Sequence, residues 1–360
     1  MYKYLSILLL IAVVTLPVSA QDEDDDDFGG DEFDFGSLVP AEQVKAFCSS
    51  RILGGGPQQL VSFGYDIQGP YDLNAGTYLE YPALNTPETD YQVNRTSEFR
   101  IDVQYPVISK NNITVALQMN YLRTFYDIGE VSPEVELPFV NTLNENGLTS
   151  TSLSTVIFKP LNMKNFLILQ GGFALNGDYT FSDMQALSYS RFFAAAIYGW
   201  KPNERKMWGL GVSRTYLGGA LNYLPVFYYQ YASADGKWGI DALLPSRLNI
   251  KHNFNKKTIL SVGHNFQGNT YRLNALAGEE YGEVLHPELR RSELRFRAIL
   301  DRAITKTIWL SVQGGFRYNW EFNVDDGDFF RSLFAEDPYL FENSIGNPLF
   351  AQFSISWVSP

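Results

Sequence analysis

Polar and apolar side chains alternate one by one along much of the chain beyond residue 59. Between residues 98 and 105, the even positions carry charged or amide side chains and the odd positions carry apolar or aromatic ones. The same alternation recurs at 113–121, 291–301 and 308–322. A period of two residues predicts β-strands that have one polar and one apolar face. The fold class is therefore predicted to be all-β.

The connections between the predicted strands are alternately short and long. Short corners rich in Asn, Asp, Gly and Lys lie at 109–111, 162–164, 201–204, 234–236, 255–256 and 305–307. Long connections lie at 70–96, 129–148, 176–186, 217–222, 274–288 and 324–346. A transmembrane β-barrel has this rhythm, because one rim carries tight periplasmic turns and the other carries the extracellular loops.

We predict a closed antiparallel up-and-down transmembrane β-barrel of about fourteen strands. The strands are expected near 60–68, 97–108, 112–127, 149–160, 165–175, 187–200, 205–216, 223–233, 237–244, 247–254, 257–272, 289–304, 308–323 and 348–358. Pro245 has no N–H to donate to a sheet. It marks either a tight outer turn or a bend in one long strand, and the second case leaves twelve strands. An even number keeps both ends of the barrel on the periplasmic side.

The apolar face of these strands ends in aromatic residues at both rims. Phe99, Tyr121 and Trp320 lie near the long connections, whereas Tyr105 and Trp357 lie near the short ones. Membrane barrels place aromatic side chains at both lipid interfaces. The apolar face is therefore expected to contact lipid, and the charged face to line the lumen.

Counting outward from the short corners predicts which residues lie opposite each other. One such pair is Val103 with Leu117, and another is Arg291 with Glu321. The two members of a cross-strand pair share a face of the sheet. The first pair is expected on the lipid side and the second in the lumen.

Charged residues on the polar face are the candidate functional residues of the lumen. Two interpretations have equal weight: an anion-attracting constriction that selects a solute, or a salt-bridged filling that stiffens the barrel. The candidates are Arg100, Asp102, Arg291, Glu293, Arg295, Arg297, Asp301, Arg317 and Glu321.

Two glycine pairs occur in the predicted strands, at 171–172 and 314–315. They either leave room for a substrate or relieve crowding where a curved wall bends, and the second explanation is favoured.

The N-terminal region divides into three predicted segments. Residues 1–20 have the basic start, apolar run and small-residue site of a secretory signal peptide, with cleavage after Ala20. Nine acidic side chains between residues 22 and 36 predict a disordered arm at 21–36 and account for much of the net charge of -12. Residues 37–58 are expected to form a loose periplasmic lead-in, or alternatively a small plug, with a short helix at 41–49. The barrel is assigned to 59–360.

The signal peptide, the hairpin rhythm and the closing segment LFAQFSISWV at 349–358 resemble Gram-negative outer-membrane β-barrels. The overall plan looks like uncharacterised barrels of bacteroidete-type bacteria and is loosely similar to the fatty-acid channel barrels. The resemblance covers residues 59–360. It implies location in the cell outer membrane, contact with outer-membrane lipid and insertion by the barrel-assembly machinery. The last aromatic residue of such barrels is usually terminal, whereas here Val358, Ser359 and Pro360 follow Trp357.

The residue types that carry most enzyme chemistry are scarce in this sequence. His252, His264 and His286 lie in no close cluster with Cys or carboxylates, so no metal site or cofactor is expected. His264 invites comparison with barrel lipid hydrolases, but Phe266 stands where their nucleophilic serine would be. Cys48 is taken as a packed thiol. The sequence has no basic stripe of the kind that binds nucleic acid, so no nucleic-acid partner is expected. The chain is predicted not to be an enzyme.

The first functional hypothesis is a passive channel or carrier for a small solute or hydrophobic molecule. The alternative is a non-conducting structural or interaction barrel that presents extracellular loops, such as the acidic run at 325–328. A lipid hydrolase with an unfamiliar site is the third hypothesis.

Overall fold

A computed structural model of the chain describes residues 47–76, 89–129, 138–180, 189–217, 219–274, 287–327 and 339–359. These residues belong to one compact unit, Lys45–Pro360. The predicted signal peptide at 1–20, the acidic arm at 21–36 and residues 37–46 of the following segment lie outside the described residues.

The described residues form strands almost throughout, as the period of two predicts. The strands are β1 (Gln59–Gln68), β2 (Tyr71–Ala75), β3 (Thr89–Lys110), β4 (Ile113–Ile128), β5 (Leu148–Pro160), β6 (Asn165–Gly177), β7 (Ser190–Asn203), β8 (Lys206–Thr215), β9 (Asn222–Ala232), β10 (Trp238–Leu244), β11 (Arg247–Asn255), β12 (Thr258–Arg272), β13 (Pro287–Ala303), β14 (Ile308–Asp326), β15 (Tyr339–Phe341), β16 (Asn343–Ile345) and β17 (Leu349–Val358). One helix, α1 (Pro138–Glu145), lies between β4 and β5 in this part of the chain.

Fourteen of these strands close into an antiparallel barrel, which confirms the predicted fold and strand number. From β3 to β14 each strand pairs with the next, and the ring closes where β17 pairs with both β14 and β1. The short strands β2, β15 and β16 are additional. Leu243 pairs with Arg247, so Pro245 lies in a tight turn between two strands rather than in a bend of one.

The apolar face of the barrel points outward and is not covered by protein. Phe63, Phe296 and Phe353 are each about half exposed, and Leu349 is 71% exposed. Side chains on the outside of a closed, single-layered ring can be shielded only by lipid or a partner. This exposure confirms that the apolar stripe is the lipid-facing surface.

In the residues that the structure describes, no helix combines the length and the hydrophobicity needed to cross a membrane.

The register of the first hairpin differs from the prediction by two residues. Val103 lies opposite Met119 instead of Leu117, and the pairing shifts between Pro106 and Ile108. Pro106 cannot donate to the ladder, which explains why the irregularity occurs at this point. A shift of two residues leaves every side chain on its predicted face.

A β-bulge in β14 overturns the predicted pairing of Arg291 with Glu321. Glu293 lies opposite Asn319, whereas Ser292 lies opposite Glu321, so β14 has one residue more than β13 at this point. The extra residue reverses the inward and outward positions beyond it. Arg291 is therefore opposite Phe322, and Glu321 lies on the face of β14 opposite to Arg317.

The predicted long connections contain structure that the sequence pattern missed. The 70–96 connection holds β2 and the start of β3, the 324–346 connection holds the end of β14 with β15 and β16, and the 129–148 connection holds α1. These elements surround an apolar core at the extracellular end of the barrel. Its members include Tyr71, Leu73, Val93, Tyr126, Phe139, Leu143, Leu148, Tyr271, Leu289, Phe322, Val324 and Phe341.

Helix α1 closes one side of this extracellular core. Pro138 occupies its first turn, where a missing N–H costs nothing, and Gly147 follows its end with a φ of 63°. Phe139 and Leu143, four residues apart, are fully buried. A Cβ at Gly147 would lie 2.3 Å from the carbonyl oxygen of Thr124, so the close approach to β4 requires glycine.

The barrel narrows towards the extracellular end. Arg272 at the end of β12 pairs in parallel with Gly177 at the end of β6, although five strands separate β6 from β12 around the ring. The backbone N–H of Asp178 also donates to the carbonyl of Arg272 at 3.1 Å. Walls that are far apart in the membrane therefore meet above it.

One glycine of each predicted pair, Gly172 in β6 and Gly315 in β14, lies where the barrel wall has no space for a side chain. A Cβ at Gly315 would lie 1.9 Å from the carbonyl oxygen of Phe296. A Cβ at Gly172 would lie 2.8 Å from the ring of Phe193. The crowding explanation is therefore confirmed for these two glycines.

We predict that Gly315→Ala destabilises the barrel and that Gly314→Ala does not. The alanine at 315 forces β13 and β14 apart, at a cost of about 1–3 kcal/mol. Gly314 is the matched control, because a Cβ there would meet its nearest atom, the carbonyl oxygen of Phe350, at 3.5 Å. Urea unfolding in lipid vesicles measures both variants. Equal stability of the two variants would contradict the prediction.

Candidate functional site

A cluster of ion pairs fills the part of the lumen faced by β1, β3, β13 and β14. Arg295 is at its centre and is only 2% exposed. Its Nη1 lies 3.2 Å from Asp66 Oδ2 and its Nη2 lies 2.8 Å from Glu98 Oε2. Its Nε lies 2.5 Å from Glu293 Oε1. The guanidinium also stacks over the ring of Phe350, with 5.3 Å from Cζ to the ring centre. One arginine thus joins three strands across the lumen.

Two further arginines extend the same network. Arg291 Nη2 lies 2.6 Å from Glu98 Oε1 and 3.0 Å from Glu293 Oε2. Arg291 Nη1 donates to Thr124 Oγ1 at 3.1 Å. Arg317 Nη1 lies 3.2 Å from Glu293 Oε2. Each carboxylate of Glu98 and Glu293 is therefore shared between arginines.

We call this group the ion-pair cluster; its members are Arg291, Arg295, Arg317, Asp66, Glu98 and Glu293. It contains three guanidinium groups and three carboxylates, and all six residues are buried. Groups buried this deeply are tolerated only when they are paired and hydrogen-bonded. The structural interpretation, a salt-bridged filling, therefore describes these residues.

Sequence reasoning missed two members of the ion-pair cluster. Glu98 stands on the polar face of the alternation at 98–105 but was not among the candidates, and Asp66 was not considered. Their arginine partners lie on β13, far away in the sequence. Only closure of the ring brings Glu98 to Arg291 and Arg295.

The other lumen candidates lie outside the ion-pair cluster. Arg297 Nη1 donates to Gln313 Oε1 at 3.3 Å, and among the described residues no carboxylate lies within salt-bridge distance of Arg297. Arg100 and Arg247 are near enough to repel its charge. Asp301 accepts a hydrogen bond from Ser311.

Arg100 and Asp102 face an open chamber of the lumen. The nearest carboxylate to Arg100 is Glu98, 3.7 Å away. Asp102 Oδ1 accepts a hydrogen bond from Asn120 Nδ2 at 2.7 Å. The chamber has a volume of about 290 Å³. The polar side chains that line it include Arg100, Asp102, Asn120, Ser152, Asn176 and Gln267.

Glu321 does not lie with the other candidates. Past the bulge, on the face of β14 opposite to Arg317, it accepts a hydrogen bond from Tyr339 Oη at 3.1 Å. On the same face Arg290 forms an ion pair with Asp325, which is fully buried. Asp325 is therefore not part of an exposed acidic loop, and residue 328 lies outside the described residues.

The N-terminal segment, residues 47–58, crosses the periplasmic end of the barrel. Cys48 and Ile52 are buried in an apolar cluster with Phe158, Phe166 and Met207. The first of these residues, 47–49, are not helical, in contrast to the prediction. The other end is tied to the ring, because the N–H of Ser359 donates to the carbonyl of Gln58 at 2.9 Å.

A buried lysine holds the N-terminal segment in place. Lys201 is 2% exposed, and its Nζ donates to Ser49 Oγ at 2.5 Å and to the carbonyl of Arg51 at 2.8 Å. The same ammonium group lies 3.0 Å from Glu204 Oε2. The N–H of Leu53 donates to the carbonyl of Glu204 at 2.7 Å. The turn between β7 and β8 therefore binds the segment through both side-chain and backbone hydrogen bonds.

The two described histidines lie on the outer face. His264 pairs with Phe296 across β12 and β13, and its ring centre lies 6.5 Å from that of Phe296. His252 packs against Trp238 and Phe254. His286 lies outside the described residues. The absence of enzyme activity stays a prediction.

A closed ring with a lipid-facing apolar band and a polar interior is the architecture of outer-membrane proteins. The chain is an outer-membrane β-barrel. Its ring and band are established by its own strand pairing and exposed side chains, and its relation to barrels of bacteroidete-type bacteria stays a prediction.

Comparison with known proteins finds similarity only at the level of structure. No protein-family model and no curated protein matches the sequence. An outer membrane channel of Pseudomonas putida F1 aligns with 90% of this chain and 100% of its own chain, at 10% identity and a TM-score of 0.37. The P. putida toluene transporter TodX aligns with 86% of this chain and 93% of its own chain, at 8% identity and a TM-score of 0.36. The outer membrane protease OmpT of Escherichia coli aligns with 83% of this chain and 96% of its own chain, at 7% identity and a TM-score of 0.28. Similarity this low carries no argument about function.

We predict that Glu98→Gln strongly destabilises the barrel. The change leaves Arg291 and Arg295 buried with too little negative charge, which costs about 3 kcal/mol or more. Asp102→Asn is the control, because Asp102 faces the open chamber and its neighbour Asn120 tolerates an amide. A heat-modifiability gel measures the temperature at which each folded barrel unfolds. Unfolding of Glu98→Gln at the wild-type temperature would show that the ion-pair cluster adds nothing to stability.

Proposed function

We propose that this barrel passes a small polar solute passively across the outer membrane, as a channel or carrier. The observation that carries the proposal is the chamber of about 290 Å³ inside the membrane-spanning ring. A lumen meant only to be rigid would be filled by its own side chains, as it is at the ion-pair cluster. The chamber is instead open space, and the side chain of Arg100 lines it.

The lining favours a polar solute over a hydrophobic one. Hydroxyl, amide and guanidinium groups line one part of the chamber, among them Ser152, Asn120 and Arg100, and apolar side chains such as Phe193 and Leu217 line another. A hydrophobic solute would strip water from these groups without replacing their hydrogen bonds. The apolar clusters of the interior lie elsewhere, at the extracellular core and beneath the N-terminal segment.

The full-length protein in planar bilayers and in swelling liposomes tests the proposal. We expect steady single-channel current and swelling in sorbitol, because the lumen offers a hydrated path. A protein that neither conducts nor admits sorbitol, both in the wild type and in the released variant described below, would contradict the proposal. That outcome would favour the non-conducting structural barrel, which the ion-pair cluster and the N-terminal segment also support.

We propose further that the N-terminal segment acts as a plug that restricts the periplasmic opening. The segment offers three acceptors to the ammonium group of Lys201, namely Ser49 Oγ and the carbonyls of Ser49 and Arg51. Cys48 and Ile52 add an apolar anchor. Removal of the ammonium group is expected to loosen the segment, since the acceptors then lose their donor in a buried site.

The single cysteine of the chain reports on release of the segment. Burial raises the pKa of the Cys48 thiol, so at neutral pH it holds less thiolate than an exposed cysteine and reacts slowly with maleimide. We expect Lys201→Met to speed labelling about tenfold and to increase conductance. In the wild type, labelling should rise with pH only above the ordinary range for a thiol.

The matched control is Lys206→Met on the same hairpin. Lys206 lies over the ring of Tyr229, with 5.7 Å between Nζ and the ring centre, and does not contact the N-terminal segment in the described residues. Labelling and conductance should stay at wild-type values. If Lys201→Met also left both unchanged, the plug proposal would be wrong.

A further inference from the structure

We infer that the chamber is a binding site for a small hydroxylated organic anion. The inference rests on the proposed function, because it names the class of solute that would pass. Two unused hydrogen-bond donors in the chamber wall carry it, and both require an acceptor-rich ligand.

The first donor group is the guanidinium of Arg100. Among the described residues it makes no hydrogen bond, and its one ion-pair partner is Glu98 at 3.7 Å. Glu98 is already held by Arg291 at 2.6 Å and by Arg295 at 2.8 Å. Arg100 is therefore left with its fork of N–H donors directed to the chamber rather than to protein acceptors. A carboxylate matches this fork geometrically.

The second donor is the side-chain amide of Asn176. This residue is 1% exposed and lines the chamber, and its Nδ2 has no hydrogen-bond partner among the described residues. Its Oδ1 accepts from Ser150 Oγ at 2.7 Å, which fixes the orientation of the amide. A buried donor without a partner is costly unless a ligand or water supplies the acceptor.

The charges around the chamber agree with an anionic ligand that also carries hydroxyl groups. Among the described residues, two guanidinium groups, those of Arg100 and Arg191, and one carboxylate, that of Asp102, line the chamber. Asp102 accepts a hydrogen bond from Asn120, and its second oxygen can accept a hydrogen bond from a hydroxyl group of the ligand. Arg191, by contrast, is committed to Glu288.

The volume limits the ligand to a small molecule. A chamber of about 290 Å³ has room for roughly ten water molecules. A six-carbon sugar acid is at the upper end of what fits. Larger anions, such as oligosaccharides, would require the walls to move.

Calorimetry on the full-length protein in detergent micelles tests the site with a matched pair of probes. Gluconate and sorbitol carry the same chain of hydroxyl groups and differ at one end, where sorbitol has an alcohol in place of the carboxylate. We expect gluconate to bind at least tenfold more tightly than sorbitol. Equal binding of the two probes, or no binding of gluconate, would overturn the inference without any variant being made.

Variants test which side chains donate hydrogen bonds to the ligand. Arg100→Gln and Asn176→Leu should each weaken gluconate binding about tenfold or more, since each removes donors to the ligand. Arg100→Lys keeps the charge and loses the fork, so its loss should be smaller. Arg302→Gln is the control, because Arg302 lies on the outer face and donates to Thr258. Wild-type affinity in both Arg100→Gln and Asn176→Leu would overturn the assignment, provided heat-modifiability gels show folded protein.

The calorimetric result and the transport result can fail separately. If gluconate binds selectively but no solute passes in liposomes, the proposed function is wrong and the inferred site stands. If sorbitol and gluconate pass at equal rates and neither shows selective binding, the barrel conducts and the inferred site is wrong.

Discussion

Closure of the sheet is the constraint on which the rest of this structure depends. Lipid offers no hydrogen-bond partner, so every backbone N–H and carbonyl in the membrane must pair within the protein. The pairing of β17 with β1 and β14 removes the last free edges. Because the ring is a single layer, side chains then alternate between lipid and lumen. Phe296 faces lipid for the same reason that Arg295 and Arg297 face the interior.

Closure also brings charged side chains close together in the lumen, where they occur in two arrangements. Where carboxylates of β1 and β3 reach the arginines of β13 and β14, as at Glu98 and Arg295, the groups neutralise each other and become rigid filling. Arg100 has one carboxylate within ion-pair distance, at 3.7 Å, and borders the chamber. The first arrangement fills the lumen, and in the proposed function the second provides a surface for a solute.

Different contacts hold the described residues at the two ends of the barrel. Above the membrane, the strands bend over an apolar core completed by Phe139 and Leu143 of α1. At the periplasmic end, a short N-terminal segment is held by hydrogen bonds from Lys201 and by apolar packing of Cys48 and Ile52. The extracellular end is therefore held mainly by apolar packing, and the periplasmic end by polar and apolar contacts together.

The strands, their order and their faces could be predicted from the sequence, because side-chain alternation and turn composition are local properties. Even Glu98, which was not among the candidates, had the correct face. The pairing of Arg291 with Glu321 was predicted wrongly, since one extra residue at Trp320 reverses the faces beyond it and leaves no local signal. The partners of Arg295, the free donors of Arg100 and Asn176, and the grip of Lys201 depend on contacts between residues far apart in the chain. Alternation determines which solvent a side chain meets, but only the closed ring decides which other side chain it meets.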